Sequence, residues 1–291
     1  MRILAVVNLV AGNGTARRAF PRLLESLSAH CDFVMTDRRG LARELAASAA
    51  AEGYERVLAL GGDGTVNEVA NGLAHSQTAL GIVPLGTAND SAANLGISTD
   101  PTAAIKHATT AESRPIDLGE VSTSQGSAYF VGVAGFGFDA AVAWHVNRMP
   151  KLIGGTLPYV AGVVLTLWQY RASDTRICLD GRVIDRPVFL AAVANNPSYG
   201  GGMRIAPDAR ADDGVLDACV VRDVSRFEVL RLVPKLYSGG HIGHPAVEII
   251  RCRELTAESA ARVFCHADGE LVGNLPAQFK VHPGALRCVT G

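Results

Sequence analysis

Arg56-Val57-Leu58-Ala59-Leu60-Gly61-Gly62-Asp63-Gly64-Thr65-Val66-Asn67-Glu68 is the stretch that decides the fold. Residues 56–60 read as a strand, a glycine-rich turn follows directly, and residues 66–74 place apolar side chains at helical spacing. A strand-to-helix turn of this kind points backbone N–H groups and the positive end of a helix dipole outward, where phosphate oxygens bind. Thr65 is expected to cap the helix, which puts Asn67 and Glu68 in its first turn. A tight βα turn in which Asp63 merely caps the helix has the same sequence, so the turn alone leaves both readings open.

Working outward, residues 2–8, 32–36 and 79–84 read as further strands, with amphipathic helices over 15–29 and 41–52 between them. That alternation predicts an α/β domain with helices on both faces of a parallel sheet. A second turn, Pro84-Leu85-Gly86-Thr87-Ala88-Asn89-Asp90, again follows a strand. In a parallel sheet it emerges at the same C-terminal edge as the first, where ligands collect. After Ile116-Asp117-Leu118-Gly119 the rhythm changes to short strands joined by Gly- and Asp-containing turns, as in 175–179, 188–194, 215–221 and 277–281. Helical stretches at about 138–148, 158–170 and 226–237 interrupt this β-rich half. The expected division is 1–120, with 283–291 returning to it, and 121–282.

Composition excludes several classes. With 291 residues, 48% hydrophobic and 19% charged, the chain reads as globular and long enough for two cores. Its formal net charge of -1, with Lys and Arg scattered among acids, argues against a nucleic-acid partner. The apolar run at residues 3–7 is too short for a signal peptide, and the uncharged stretch 152–170, interrupted early by Gly154, Gly155 and Pro158, is too short to span a bilayer. Six scattered cysteines without a Cys-x-x-Cys pair fit a reducing cytosol. The expected location is therefore cytoplasmic. Transient peripheral membrane contact is expected through Lys151, Gly154, Gly155 and the helix carrying Val163, Val164, Leu165, Leu167, Trp168 and Tyr170, although a buried helix explains most of these side chains equally well.

The two glycine turns and the Ile116–Gly119 segment together resemble the diacylglycerol kinase catalytic-domain family, which includes sphingosine and ceramide kinases and bacterial lipid kinases. The resemblance continues through Gly135-Phe136-Gly137-Phe138-Asp139, Tyr199-Gly200-Gly201-Gly202-Met203, Ala206-Pro207, Asp212-Asp213-Gly214-Val215-Leu216-Asp217 and Asp268-Gly269-Glu270, and so covers nearly the whole chain. It implies a nucleotide-binding domain like that of phosphofructokinases and NAD kinases, a β-sandwich-like second domain, and an active site between them. It also implies ATP and Mg²⁺ as cofactors and a lipid alcohol, above all diacylglycerol, as substrate at the membrane surface.

By the same resemblance Asp268 is the general base, with Glu270 supporting it from the same side of an extended segment. Asn8, Gly12, Gly14, Gly61, Gly62, Asp63, Gly64, Thr65, Glu68, Thr87 and Asn89 line the ATP site. Asp213, with main-chain carbonyls of Arg210 and Val215, holds Mg²⁺, and Asp63, Asp90 and Asp117 extend toward it through waters. Two departures stand out: Leu9 where the family has Pro, and Ser91-Ala92-Ala93 where it has Phe-Ala-Arg. His241 and His244 read as loop residues, and His266 stands near Asp268 in sequence. A soluble NAD kinase-like enzyme and a non-catalytic nucleotide- or lipid-binding regulator remain as alternatives. A homodimer is compatible with such an enzyme, and no surface feature of the sequence shows one.

Overall fold

Apolar runs separated by glycine turns produce the first set of elements: β1 (Ile3–Val7), α1 (Thr15–Ser28), β2 (Asp32–Met35), α2 (Leu41–Ala51), β3 (Arg56–Gly61), α3 (Asp63–Leu73), β4 (Ala79–Pro84), α4 (Asp90–Asn94) and α5 (Pro101–Thr110). The β-rich half follows as β5 (Arg114–Thr123), β6 (Gly126–Phe130), β7 (Val133–Gly137), α6 (Phe138–Arg148), α7 (Leu157–Gln169), β8 (Ser173–Leu179), β9 (Arg182–Ala194), β10 (Leu216–Arg222) and α8 (Arg226–Leu236). The last elements are β11 (Val247–Cys252), β12 (Glu254–Glu258), β13 (Phe264–Ala267), β14 (Glu270–Asn274) and β15 (Ala277–Cys288). The structure, a computed structural model, describes residues 1–148 and 157–291. Lys151, Gly154 and Gly155, named above for the lipid, lie outside the described residues.

The contacts divide the chain into two units, Met1–Leu118 with Pro283–Gly291, and Gly119–His282. In the first unit β2, β1, β3 and β4 pair in that order, all parallel, and Arg287 and Cys288 of β15 add a further parallel strand beside β4. Val57, Leu58, Ala59 and Leu60 are fully buried, as expected of a central strand covered on both faces. Helix α1 buries Ala16, Phe20, Leu23 and Leu27, a single stripe at helical spacing. Asp100 caps α5 by accepting the Ala103 N–H at 3.1 Å, and Pro101 occupies the first helical position.

The second unit is antiparallel. Strand β9 lies between β7 and β10, and also pairs with β8. Strand β13 joins β7 to β14, and β12 joins β8 to β15. Phe130, Phe136 and Phe279 fill its main core, with the last two rings 6.0 Å apart. A second cluster lies under α6, α7 and α8, where Phe138 stacks on Phe189 at 4.7 Å. Truncating a buried aromatic of this kind to Ala costs roughly 3–5 kcal/mol.

Three expectations are corrected. Helix α3 begins at Asp63 with Gly62 as its N-cap, so Thr65 lies inside the first turn and Glu68 in the second. Tyr170 does not face the surface: its ring packs edge-on against Phe138 and Phe189, and its hydroxyl is buried without a partner. Burial, and then the nearby Asp139 charge, push the Tyr170 hydroxyl pKa upward. Finally, the strand expected at 277–281 runs on to Cys288 and enters the first unit at Pro283. Its bend is set by Gly284 at φ 62°, whose N–H donates to Asp117 Oδ1 at 2.8 Å.

Candidate active site

In the first unit the loops after β1, β3 and β4 meet at one edge of the parallel sheet. Gly61 sits opposite Pro84 in register, and the Leu85 N–H donates to the Gly61 carbonyl at 2.8 Å. The two glycine turns then pack backbone on backbone: a Cβ on Gly86 would overlap the Cα of Gly62. Gly12, at φ +63°, brings the first loop equally close, since a Cβ there would overlap the Leu85 carbonyl oxygen. Asn8 links two of the loops, donating from Nδ2 to Thr65 Oγ1 at 3.0 Å and accepting the Val10 N–H at 3.1 Å. Gly14 is the N-cap of α1, so the starts of α1 and α3 both belong to loops of this edge. The first N–H groups of such helices lack intrahelical partners, which suits an anion.

The polar residues of the second turn hold its shape. Asn89 accepts the Gly86 N–H at 2.8 Å and donates to the Gly86 carbonyl at 3.1 Å, while Thr87 is exposed. Asp63 does not cap its own helix; its Oδ1 accepts the Ser91 N–H at 2.8 Å and so ties α3 to α4. Ser91 and Ala92 are 7% and 1% exposed, which gives these two positions a packing reason for small side chains, whereas Ala93 is exposed. Glu68 departs from its expected place on the nucleotide: its two oxygens accept the N–H groups of Gly40 and Ala42 at 2.9 and 3.1 Å, at the start of α2. A carboxylate is stabilised at a helix N-terminus and would repel phosphate, so this side chain aligns α2 and α3.

In the second unit Asp268 and Gly269 form the two-residue turn between β13 and β14, with φ of 46° and 83°. Both angles are positive, as in the tight hairpin turns that favour Asp-Gly. The expectation of an extended segment with Asp268 and Glu270 on one side is therefore wrong: the carboxylate of Asp268 turns back into the unit, and Glu270 is exposed at the start of β14. Asp268 accepts three backbone N–H groups, from Val131 at 2.9 Å and from Gly132 and Val133 at 3.0 Å. These bonds fix its orientation. The cradle is rigid in turn, because buried Asn195 and Asn196 both donate to the Val131 carbonyl, at 3.0 and 2.8 Å.

Asp139 and His266, 2% and 7% exposed in the order His266 and Asp139, form a pair beneath this turn with Nε2 and Oδ2 3.0 Å apart. The sequence motifs contained both residues and gave no sign that they meet. Beside them lies an apolar cavity of about 340 Å³, walled by Phe138, Val142, Leu167, Phe189, Leu230 and Val233, with Asp139 and Tyr199 on its lining. His241 also lines it; its Nε2 donates to the Ile205 carbonyl at 3.0 Å, and burial lowers its pKa.

The residues expected to hold or approach Mg²⁺ fall in both units. Asp213 accepts the Val215 N–H at 3.3 Å and pairs with Arg251, whose Nε is also 3.9 Å from Asp217 Oδ1. Asp217 Oδ2 is buried without a hydrogen-bond partner, and burial raises the Asp217 pKa, with Asp213 and Asp208 adding to the effect against Arg251. Among the described residues no three His, Cys, Asp or Glu side chains gather as a metal-binding group. The orphaned Asp217 oxygen, close enough to Asp213 to feel its charge, is nevertheless the kind of hard oxygen donor that suits a cation keeping most of its own waters.

Both units have relatives among known proteins. Residues 2–121 match the diacylglycerol kinase catalytic domain, and residues 132–290 match the YegS C-terminal NAD kinase beta sandwich-like domain. The diacylglycerol kinase of Mycobacterium tuberculosis (strain ATCC 25618 / H37Rv) is 33% identical over an alignment covering 98% of this chain and 94% of that protein. A YegS-like lipid kinase of Chromohalobacter salexigens is 34% identical, covering 83% and 78% respectively. A crystal structure of a diacylglycerol kinase from Bacillus anthracis str. Sterne covers 100% of this chain and 97% of its own, with a TM-score of 0.74 at 21% identity, which speaks for the fold. The chain belongs to the diacylglycerol kinase family and is a lipid kinase.

Proposed function

We propose that this lipid kinase transfers the γ-phosphate of ATP, with Mg²⁺, to the free hydroxyl of diacylglycerol, giving phosphatidic acid. The observation that carries the acceptor is the apolar cavity of the second unit, which has the size of a small-molecule site and places Asp139 and Tyr199 next to the residues under Asp268. On this reading the acceptor oxygen forms a bond to the γ-phosphorus as that phosphorus leaves the bridging oxygen of ADP, and the hydroxyl proton passes to Asp268. Glu270, exposed beside it, supports the charge.

The glycines at 12, 14, 61, 62 and 64, with Asn8, Thr65, Thr87 and Asn89, would bind the nucleotide phosphates and ribose. Asp213, with the carbonyls of Arg210 and Val215, would hold Mg²⁺, and Asp63, Asp90 and Asp117 would reach it through water; the ion supplies charge neutralisation at phosphate oxygens. The lipid partner supports a transient membrane contact through α7 and α8, where Trp168 is 61% exposed and Phe227 74%. Among the described residues no helix is long and apolar enough to cross a membrane. A homodimer is part of the same proposal, to be read by sedimentation.

A lipid panel with labelled ATP and Mg²⁺ tests the reading: label is expected in diacylglycerol presented in detergent micelles, and label in NAD alone would overturn it. Asp268→Asn is expected to lower turnover by about 100-fold or more while ATP binding survives. Undiminished turnover in that variant removes Asp268 from the base role.

A further inference from the structure

We propose that His266 is a positioning residue for phosphoryl transfer, tying the wall of the apolar cavity to the turn that carries Asp268. The proposal rests on the reading of Asp268 as the base. His266 is buried on β13, and its ring makes one contact on each nitrogen: Nε2 is 3.0 Å from Asp139 Oδ2, and Nδ1 lies 3.3 Å from the Gly269 nitrogen. A backbone N–H can only donate, so Nδ1 is the acceptor and Nε2 carries the proton given to Asp139. The two contacts thus select one tautomer of the ring. The other oxygen of Asp139 accepts the Ala140 N–H at 2.8 Å, at the start of α6, and the Tyr199 ring lies parallel to the imidazole, 5° apart in plane and 6.5 Å between centroids.

Asp139 and Tyr199 both line the cavity. The Gly269 N–H belongs to the peptide that leaves Asp268, so the bond to Nδ1 fixes the backbone of the base from below while the cradle at residues 131–133 fixes its carboxylate from the side. A ligand filling the cavity therefore acts on the base through one rigid ring. On this proposal His266 acts through the turn and not on the substrate.

The test compares His266→Leu, which deletes both contacts, with His266→Gln, which keeps one donor and one acceptor. In micellar assays His266→Leu is expected to lower kcat by about 10- to 100-fold with the KM for ATP within about twofold of the wild type, and His266→Gln to recover most of the loss. A purely structural residue would lower Tm in both variants without separating kcat from KM. Wild-type kcat in folded His266→Leu overturns the proposal, as does a Gln variant no better than Leu. If His266→Leu does not fold, Tyr199→Leu removes only the cavity-side ring, and unchanged kcat and lipid KM there overturn the coupling. Nitrogen NMR of the histidine rings gives a readout independent of turnover: Nδ1 unprotonated supports the proposal, and a proton on Nδ1 overturns it. Failure of the wild type to phosphorylate any lipid sinks the acceptor reading instead, so the two failures are told apart.

Discussion

At the scale of single residues, the site depends on how closely two backbones approach. Gly62 and Gly86 belong to different turns, and each leaves the space that the other's main chain occupies, whereas a Cβ on Gly64 would meet nothing within 4 Å. Gly86→Ala is therefore expected to push the turns apart and weaken ATP binding by about tenfold or more, with a lower Tm, while Gly64→Ala leaves the fold intact; calorimetric titration with ATP and a thermal melt check both. Wild-type ATP binding in Gly86→Ala would mean that the contact between turns does not shape the nucleotide site. The two glycine turns are readable from sequence, because each follows a strand. That they touch was not readable, since nothing in either segment encodes the other. The base role of Asp268 is expected through resemblance alone; what the structure shows is the ordinary hairpin turn that an Asp-Gly pair also predicts.

At the scale of elements, α7 and α8 present apolar side chains outward beside the cavity. Arg226 donates to the Trp168 carbonyl at 2.8 Å and lies over the Trp168 ring at 5.2 Å, so a cation and an indole share one exposed patch with Phe227. Trp168→Ala combined with Phe227→Ala is expected to reduce sedimentation with anionic lipid vesicles by about tenfold while turnover of short-chain diacylglycerol in solution changes little; unchanged sedimentation would remove these helices from the membrane contact. A second element-scale feature is Glu248 on β11, which accepts from Arg182 at 2.5 Å and Arg186 at 2.9 Å on β9. Burial alone would raise its pKa, but the two guanidinium hydrogen bonds outweigh that and hold it below the ordinary 4.5. Its contribution is thus present above the unfolded value and lost as pH falls through the folded one. Thermal melts of Glu248→Gln should show a deficit of at most about 1 kcal/mol at neutral pH that closes below pH 4.5. The strands β1 to β4 of the first unit are legible in the sequence as apolar runs between helical stretches, whereas β5 to β7 and β11 to β14, short or interrupted by polar and glycine residues, are not placed by it. The start of α3 was misplaced because Gly62-Asp63-Gly64 looks like loop, yet in a first turn, where N–H groups have no helical partner in any case, low helix propensity costs little. The Asp139–His266 pair, 127 positions apart, left no local trace at all.

At the scale of the whole molecule, the chain leaves the first unit in β5 and re-enters it in β15, so the second unit is an insertion between Leu118 and Pro283. The returning segment is well anchored in the first unit: Arg287 and Cys288 pair with β4, the His75 N–H donates to the Ala285 carbonyl at 2.7 Å, and His107 bonds the Thr290 carbonyl at 2.8 Å. Deleting residues 283–291 is expected to strip hydrogen-exchange protection from β4 and α5 and to abolish ATP binding, while protection in β7, β9 and β10 persists. Loss of protection everywhere would mean that the units do not fold separately. Asp117 and Gly284, joined across this return, give the same dependence at one hydrogen bond. During synthesis the segment from Pro283 onward emerges from the ribosome only after the entire insertion. A nascent chain thus completes its second unit before the sheet of the first gains its last strand, and a truncated product is left with the β4 edge unpaired.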